Sequence, residues 1–518
     1  MQQFGILVWW LLISVIGLAA APLTWRIFKN LPDRGYAFSK PIGLLWVGLV
    51  SWLLGFVHFS NLTILLALGL LAGLSYWIWK KHEAEIRGFV EQNTGYLLIS
   101  EGFFLLLFML FALFRMFNPD IIGTEKFMDL AFMNSLAHAT SFPPFDPWLA
   151  GKAFSISYYY FGYLLMAILL KLSAVPPAVG FNLALGLLFA LAGFSVYGLI
   201  YNLTRRLSAA VAGWGAVFML GNLDGLRQVL AAKTLENFNW WTPSRVISDT
   251  INEFPFFSFL LGDMHPHMLA IPFVLTALAL ALNHLKSEDP DLSWKHGDNA
   301  VVFTFWGVVI GALGFLNSWD LPTLFFTAML VFFFQQYRLR APGTPLPWKD
   351  MGLGLGWILV AAVIPYLPFY ANFHSQAKGL GITTQNTQIT DYLLIFGTWV
   401  FMALTFLAAR YHVWFVALVH PAAAVPAAKK ASWTCPQCGN AVRAGKPFCG
   451  QCGAAVPPGG EASADSPLAL SPALMPVGVK QVFLFLLQPV ALLRRGEGRP
   501  AAGISLLVLG LAAVALVF

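Results

Sequence analysis

Long, uninterrupted apolar runs constrain this chain more than any other feature of its sequence. Hydrophobic residues make up 58% of the 518 positions and charged residues only 11%, whereas a soluble domain carries about 25% charged residues. A helix needs about 20 apolar residues to cross a bilayer, and unbroken runs differ from the short alternating segments of a membrane β-barrel. The sequence therefore predicts an all-α polytopic membrane protein and excludes a soluble, fibrous or disordered chain.

The apolar runs predict about twelve membrane spans. We place them at residues 5–27, 41–59, 62–80, 96–117, 179–201, 207–222, 267–285, 301–317, 321–337, 353–372, 391–409 and 501–518. Basic loops favour the cytoplasm, which puts two large loops, 118–178 and 223–266, outside the cell membrane. The apolar segment 158–174 is interpreted as a juxtamembrane or re-entrant helix packed on protein, because a crossing there would move most later basic residues outside. The net charge of +7 is then explained by basic residues in the loops, which orient the protein in the membrane. No nucleic-acid partner is expected.

Ionisable residues are scarce within the predicted spans. Transporters and pumps place such residues near mid-membrane, whereas this chain concentrates its acids and histidines in the two outside loops. The pattern predicts chemistry at the outer membrane surface. A transporter would gain support if the folded protein placed Glu101 and Asp320 together along an internal cavity.

The first outside loop contains two acids four residues apart. Thr124 is expected to cap a helix that begins at Glu125, which places Glu125 and Asp129 on one face. Two such carboxylates can bind a divalent metal or act as a base; the alternative is a solvated face without function. Three apolar side chains are expected to anchor this helix to the membrane interface: Phe132, Met133 and Leu136.

Further along the same loop, a proline-rich turn precedes Lys152 and three consecutive tyrosines. Lys152 and the aromatic rings of Tyr158, Tyr159 and Tyr160 are candidates for contacting a phosphate or a sugar ring. The alternative is that the tyrosines only anchor the chain at the headgroup level.

The second outside loop contains alternating acid and imidazole side chains, Asp263, His265 and His267. In an extended segment they would share one side, which suits a divalent metal or a proton relay. The alternative is that Asp263 caps a helix starting near His267.

Other polar groups could complete an outside site. Arg245 is a candidate phosphate clamp, or else pairs with Asp249 or Glu253. Asn317 and Asp320 complete the same site or only cap a turn between two spans.

All four cysteines lie in CPQCGNAVRAGKPFCGQC, as Cys435, Cys438, Cys449 and Cys452. The two C-x2-C pairs predict a structural Zn²⁺ held by four thiolates. Nearby basic residues place this zinc ribbon in the reducing cytoplasm, where paired disulfides are not favoured.

Composition divides the chain into six predicted segments. They are N-terminal spans 1–95, a membrane core 96–410, a linker 411–432, the ribbon 433–455, a second linker 456–477, and an interfacial helix with a last span, 478–518.

Several sequence blocks of this chain resemble the uncharacterised "YYY" family of bacterial and archaeal multispan membrane proteins, which is named for its triple tyrosine. The resemblance covers about 120–325, and its matching blocks are TEKFMDLAFMNS, FPPFDPWLAGKAFSISYYYFGY, FNLALGLL, SRVISDTINEFPFFSFLLGDMHPHMLAIPF and FLNSWDLPT. The family implies no established activity.

The order of spans, loops and acids is also similar to that of the C-fold membrane glycosyltransferases. This resemblance implies a transferase that takes a sugar from a polyprenyl-phosphate donor at the extracytoplasmic face. Glu125, with Asp129, would be the base, and Asp263, His265 and His267 would orient it or hold a divalent cation. The alternative function is a non-catalytic scaffold whose ribbon binds a cytoplasmic protein.

Overall fold

The computed structural model describes residues 4–149, 154–232, 238–293, 297–340, 344–374, 386–419, 432–434 and 441–443. Sixteen helices occupy this part of the chain. They are α1 Gly5–Ile27, α2 Ser39–Leu54, α3 Asn61–Lys81, α4 Glu83–Phe117, α5 Lys126–His138, α6 Phe161–Ser173, α7 Pro177–Thr204, α8 Leu207–Phe218, α9 Asp224–Ala232, α10 Pro255–Leu261, α11 Pro266–Leu285, α12 Gly297–Leu316, α13 Asp320–Leu339, α14 Trp348–Val363, α15 Leu367–Asn372 and α16 Ile389–Val419.

The described residues fall into two compact units. The first lies within Met1–Gly221 and Glu253–Gly381, and the second within Asn222–Asn252 and Ile382–Phe518. The predicted boundary at residue 95 falls inside α4, a continuous helix of 35 residues. A composition change at that point therefore does not interrupt the backbone.

Nine helices in the described part of the chain are long and apolar enough to cross a membrane. They correspond to nine of the twelve predicted spans. The span predicted at 207–222 is instead α8, whose 12 residues extend only about 18 Å. The span predicted at 321–337 corresponds to α13, which is not among the nine; its last turns carry Gln335, Gln336 and Arg338. The span predicted at 501–518 lies outside the described residues.

Residues 161–173 of the segment 158–174 form the short helix α6, which is not among the nine candidate spans. Its 13 residues extend about 20 Å, less than the roughly 30 Å hydrocarbon core of a bilayer. Every residue from Phe161 to Leu170 is buried. The helix is therefore held by protein, as required of an apolar element that does not span.

Aromatic side chains fix the start of α6 in the core of the first unit. The Phe161 ring stacks on that of Phe315 with centroids 5.0 Å apart. The Tyr160 ring meets Phe315 edge-on at 4.7 Å, and its hydroxyl accepts a hydrogen bond from Trp52 Nε1 at 3.1 Å. These contacts position the tyrosines that precede the helix.

Replacing Gly162 by alanine should lower the stability of the first unit. A methyl group there would lie 2.7 Å from Cβ and 2.6 Å from Cδ1 of Leu269 on α11, and such overpacking costs about 1–3 kcal/mol. Thermal unfolding in one detergent should show a lower midpoint. Gly102→Ala is the control, because nothing lies within 4 Å of its added methyl group. Equal midpoints for Gly162→Ala and wild type would contradict the close packing of α6 on α11.

The second unit contains α9, a short 3-10 turn at Thr242–Ser244, and α16. It also contains a hairpin in which β1, Ser432–Thr434, pairs antiparallel with β2, Ala441–Arg443. The four cysteines, and the interfacial helix predicted within 478–518, lie outside the described residues. The zinc ribbon therefore stays a prediction.

Candidate functional site

The start of α5 is linked to the loop before α11 through Thr124. Its hydroxyl donates to Asp263 Oδ1 at 2.6 Å, and its φ of 51° places it outside the helix. The prediction that Thr124 caps α5 is therefore wrong, since Glu125 occupies the N-cap position and no side chain caps it. The hydroxyl instead joins two segments that are 139 residues apart in sequence.

The predicted membrane-anchoring face of α5 is buried in protein. Phe132, Met133 and Leu136 are at most 4% exposed, so the expectation that they insert into the interface is wrong. α5 packs mainly on α6, and that helix supplies the apolar surface that the sequence pattern assigned to lipid.

The two acids of α5 have opposite surroundings. The Glu125 side chain is 51% exposed, whereas Asp129 is completely buried. Tyr163 on α6 donates its hydroxyl to Asp129 Oδ1 at 2.6 Å. The second oxygen, Oδ2, makes no hydrogen bond of normal geometry with the described residues, although the Met264 amide lies close enough to favour the charged form.

Burial changes the protonation of Asp129. Desolvation is the main cause that raises its pKa to about 7, and the nearby charges of Asp263 and Glu125 add to it. The Tyr163 hydroxyl acts in the opposite direction. Near neutral pH, Asp129 is therefore partly protonated. Of the two acids, only Glu125 has a side chain that an acceptor can reach.

A continuous series of polar contacts begins at Glu125. Its Oε2 lies 2.9 Å from His265 Nε2, and His265 Nδ1 lies 2.8 Å from His267 Nδ1. His267 Nε2 lies 3.1 Å from Ser258 Oγ, which donates to Glu253 Oε2 at 3.1 Å. The two predicted relay histidines thus meet, with a carboxylate at each end of the series, whereas Asp263, the third predicted member, lies outside it. His265 is the N-cap of α11, which begins at Pro266 as expected, and Asp263 bonds Thr124 rather than capping that helix.

Two basic residues lie close to the acids. Lys126 is 8% exposed and Arg115 is 2% exposed. Burial lowers the pKa of Lys126, and the charges of Asp263 and Asp129 act against that decrease. Arg115 donates through Nε to Asn182 Oδ1 at 3.0 Å. The site therefore contains positive charge beside its carboxylates.

The three tyrosines take different positions. Tyr160 is 3% exposed and packs in the aromatic core, so its burial supports neither contact with a ligand nor anchoring of its ring in lipid. The Tyr158 ring packs on Phe132 at 5.8 Å, and the charges of Glu125 and Asp129 contribute to its raised pKa. Of the three rings, Tyr158 therefore lies beside the acids.

Asn317 and Asp320 form a turn of their own. Asn317 Nδ2 donates to Asp320 Oδ2 at 3.1 Å, and the Asp320 amide donates to the Asn317 carbonyl. Ser318, between them, shares a hydrogen bond of 2.9 Å with the Tyr159 hydroxyl. Tyr159 therefore contacts this turn. The side chains of Asn317 and Asp320 bond each other and stabilise it.

Arg245 belongs to the second unit. Its guanidinium carbon lies 4.7 Å from the Trp241 ring centroid, and Nη1 donates to the carbonyl of Ser244. Lys152 lies outside the described residues. The role of both as phosphate ligands stays a prediction.

A divalent metal on Asp263, His265 and His267 also stays a prediction. Within the described ranges, no three His, Cys, Asp or Glu side chains are grouped as metal ligands. The two imidazoles face each other, and Asp263 faces Thr124. This arrangement agrees with the proton relay, which was the alternative to a metal site for these residues.

Sequence reasoning missed several members of the site: Arg115, Lys126, Ser258 and Tyr163. Two signals were available. Ser258 is the single hydroxyl in the apolar run Pro255–Leu261, and Lys126 is a basic residue on a loop predicted to lie outside, where such residues are disfavoured. The contact between Tyr163 and Asp129 has no sequence signal, because it depends on the packing of α6 on α5.

Fold and site together define a multi-pass helical membrane protein with a polar cluster in two of its loops. The model of an uncharacterized membrane protein family, DUF2298, matches residues 45–517, and the chain belongs to that family. This membership agrees with the resemblance to the "YYY" proteins. No curated protein matches the chain, and neither does any solved structure.

Proposed function

We propose that this protein is a membrane glycosyltransferase that moves a sugar from a polyprenyl-phosphate donor to an acceptor hydroxyl at the extracytoplasmic face. One observation carries the proposal: the half-exposed carboxylate of Glu125 lies 2.9 Å from His265 Nε2, within ion-pairing distance. A carboxylate that is both oriented and accessible is what a general base requires.

The different surroundings of Glu125, Asp129 and Asp263 favour a different role for each acid. Glu125 would accept the proton of the attacking hydroxyl as the new glycosidic bond forms and the bond to the lipid phosphate breaks. Asp129, buried and with its pKa raised to about 7, would support α5 and supply a hydrogen bond. Asp263, bonded to Thr124, would fix the position of the residue that precedes the base.

Positive charge near the base supports a phosphate leaving group. Negative charge develops on the lipid phosphate as the sugar departs, and nearby cations stabilise it. Lys126 and Arg115 are cations among the acids of the site, and Lys152 is a further proposed ligand. A divalent cation in the same role remains part of the proposal.

A transporter receives less support. Glu101 pairs with Lys40 and with the Tyr36 hydroxyl, whereas Asp320 accepts from Asn317. The two acids thus have separate partners among the described residues, so the observation that would have supported a transporter is not made there.

Photolabelling tests whether the donor binds at this cluster. A polyprenyl-phosphate sugar with a photoreactive group on the sugar should label peptides from residues 118–149 and 253–265, and unmodified donor should compete. The control probe carries the same group on the lipid without a sugar and should label the apolar spans. The proposal fails if both probes label the same peptides or if unmodified donor does not reduce labelling of the loops.

A further inference from the structure

Three helices of the first unit bring basic residues to one place. α7 and α11 pack against each other, and Arg205 and Lys286 directly follow their last residues. Arg338 lies in the last turn of α13. Its Nη2 donates to the carbonyls of Leu285 at 2.7 Å and of Ser287 at 2.8 Å. These two carbonyls flank Lys286, so the Arg338 guanidinium lies against the backbone of that lysine.

The loop between α1 and α2 holds the ends of α7 and α11 side by side. In the last turn of α7, Asn202 Oδ1 accepts from the Asp33 amide at 3.1 Å. In the last turn of α11, Asn283 Oδ1 accepts from the Asn30 amide at 2.9 Å, and the Asn283 carbonyl accepts from Asn30 Nδ2 at 3.0 Å. Because Asn30 and Asp33 are three residues apart, both helix ends contact the same short segment of the chain.

The residues Arg205, Lys286 and Arg338, here named the basic cluster, are grouped without an acidic partner. Within the described ranges none of the three forms an ion pair with an acid, whereas two basic residues at the end of α1 share the carboxylate of Asp298. Burial lowers the pKa of Lys286, and the nearby charge of Arg205 lowers it further. The dipole of a helix favours one cation at its C-terminus. That effect does not account for three cations that repel one another.

The acids near the basic cluster do not neutralise it. Asp33 is 1% exposed, and Tyr96 donates its hydroxyl to it at 3.2 Å. Asp289 accepts from an amide of its own loop at 3.0 Å. Glu288 is exposed, and in the part of the chain that the structure describes it forms no ion pair with Lys286. The cations are therefore available to an anion from outside the chain.

We propose that Arg205, Lys286 and Arg338 bind the phosphate of an anionic phospholipid. α7 and α11 are candidate membrane spans that end at Thr204 and Leu285, so the cluster begins where the hydrocarbon region stops and phospholipid headgroups lie. Basic pockets between the ends of membrane helices bind anionic headgroups, and guanidinium groups donate to phosphate oxygens in pairs. The position of the cluster therefore favours a lipid over a soluble anion.

Native mass spectrometry of the full chain, equilibrated in detergent with equal amounts of phosphatidylglycerol and phosphatidylcholine, measures this binding. The wild-type protein should retain phosphatidylglycerol in preference to phosphatidylcholine. Lys286→Gln should lower that preference about fivefold, the effect of about 1 kcal/mol for one basic residue at a charged membrane surface. Lys286→Arg should keep it, which separates loss of charge from loss of folding.

A matched control is Lys80→Gln. Lys80 also lies in the last turn of a candidate span, but it pairs with Glu83 at 3.6 Å, and its loss should leave the lipid preference unchanged. Equal retention of both lipids by the wild-type protein would overturn the proposal, as would equal losses in Lys80→Gln and Lys286→Gln. Displacement of the lipid by inorganic phosphate, but not by chloride of equal ionic strength, would assign the cluster to a soluble anion and also overturn it. The measurement uses no sugar donor, so its outcome is independent of the proposed function.

Discussion

Replacing Glu125 by glutamine should lower donor turnover by roughly 100- to 10,000-fold, the usual contribution of a general base. Glutamine keeps the length and shape of the side chain and can stay close to His265. It cannot accept the proton of an acceptor hydroxyl. The turnover number should therefore fall while the protein remains folded.

A control for Glu125→Gln is available elsewhere in the chain. Glu85 is an exposed carboxylate that also contacts a histidine, His82, at 3.3 Å. Glu85→Gln removes the same charge from the same kind of pair, and turnover should stay at the wild-type level. A Glu125→Gln protein that is folded and as active as Glu85→Gln would show that Glu125 is not the base.

The second large effect is a dependence of protein stability on pH that is caused by Asp129. Burial raises its pKa from 3.8 to about 7, so between these values the folded protein binds more protons than the unfolded chain. The free energy of unfolding therefore falls as pH rises through this interval, and the penalty is complete above about pH 7. At about 1.4 kcal/mol per pH unit, the total is on the order of 4 kcal/mol.

Asp129→Asn should remove this dependence, because asparagine carries no charge at any pH and can still accept from Tyr163. Its thermal midpoint should exceed that of wild type, and the gap should widen from pH 5 to pH 8. Asp350→Asn, which changes an exposed residue, should show a small gap at both values. A gap that narrows with rising pH would mean that the folded state favours the charged carboxylate.

Several parts of the fold follow from the sequence alone. Nine spans could be placed by apolar length, and α6 could be separated from them because a crossing there conflicted with the distribution of basic residues. The prediction for 207–222 was wrong because composition does not reveal where a helix ends. The backbone leaves α8 after Phe218, although the following residues are still apolar.

The site could be predicted only in part. Glu125, His265 and His267 were found, because acids and imidazoles on an outside loop of a charge-poor chain are conspicuous. Their mutual geometry was not predictable, since it depends on the Thr124 bridge to Asp263 and on Ser258. The same limit explains the wrong assignment of Phe132, because an apolar face looks the same in sequence whether protein or lipid covers it.

Donor turnover by the wild-type protein tests the central claim most directly. The purified full chain, in lipid, should be incubated with a panel of polyprenyl-phosphate sugars, and the release of polyprenyl phosphate should be measured. The account predicts release from at least one donor, together with its loss in Glu125→Gln and in Asp263→Ala. Absence of release from every donor by a folded sample would contradict it and would favour a non-catalytic scaffold.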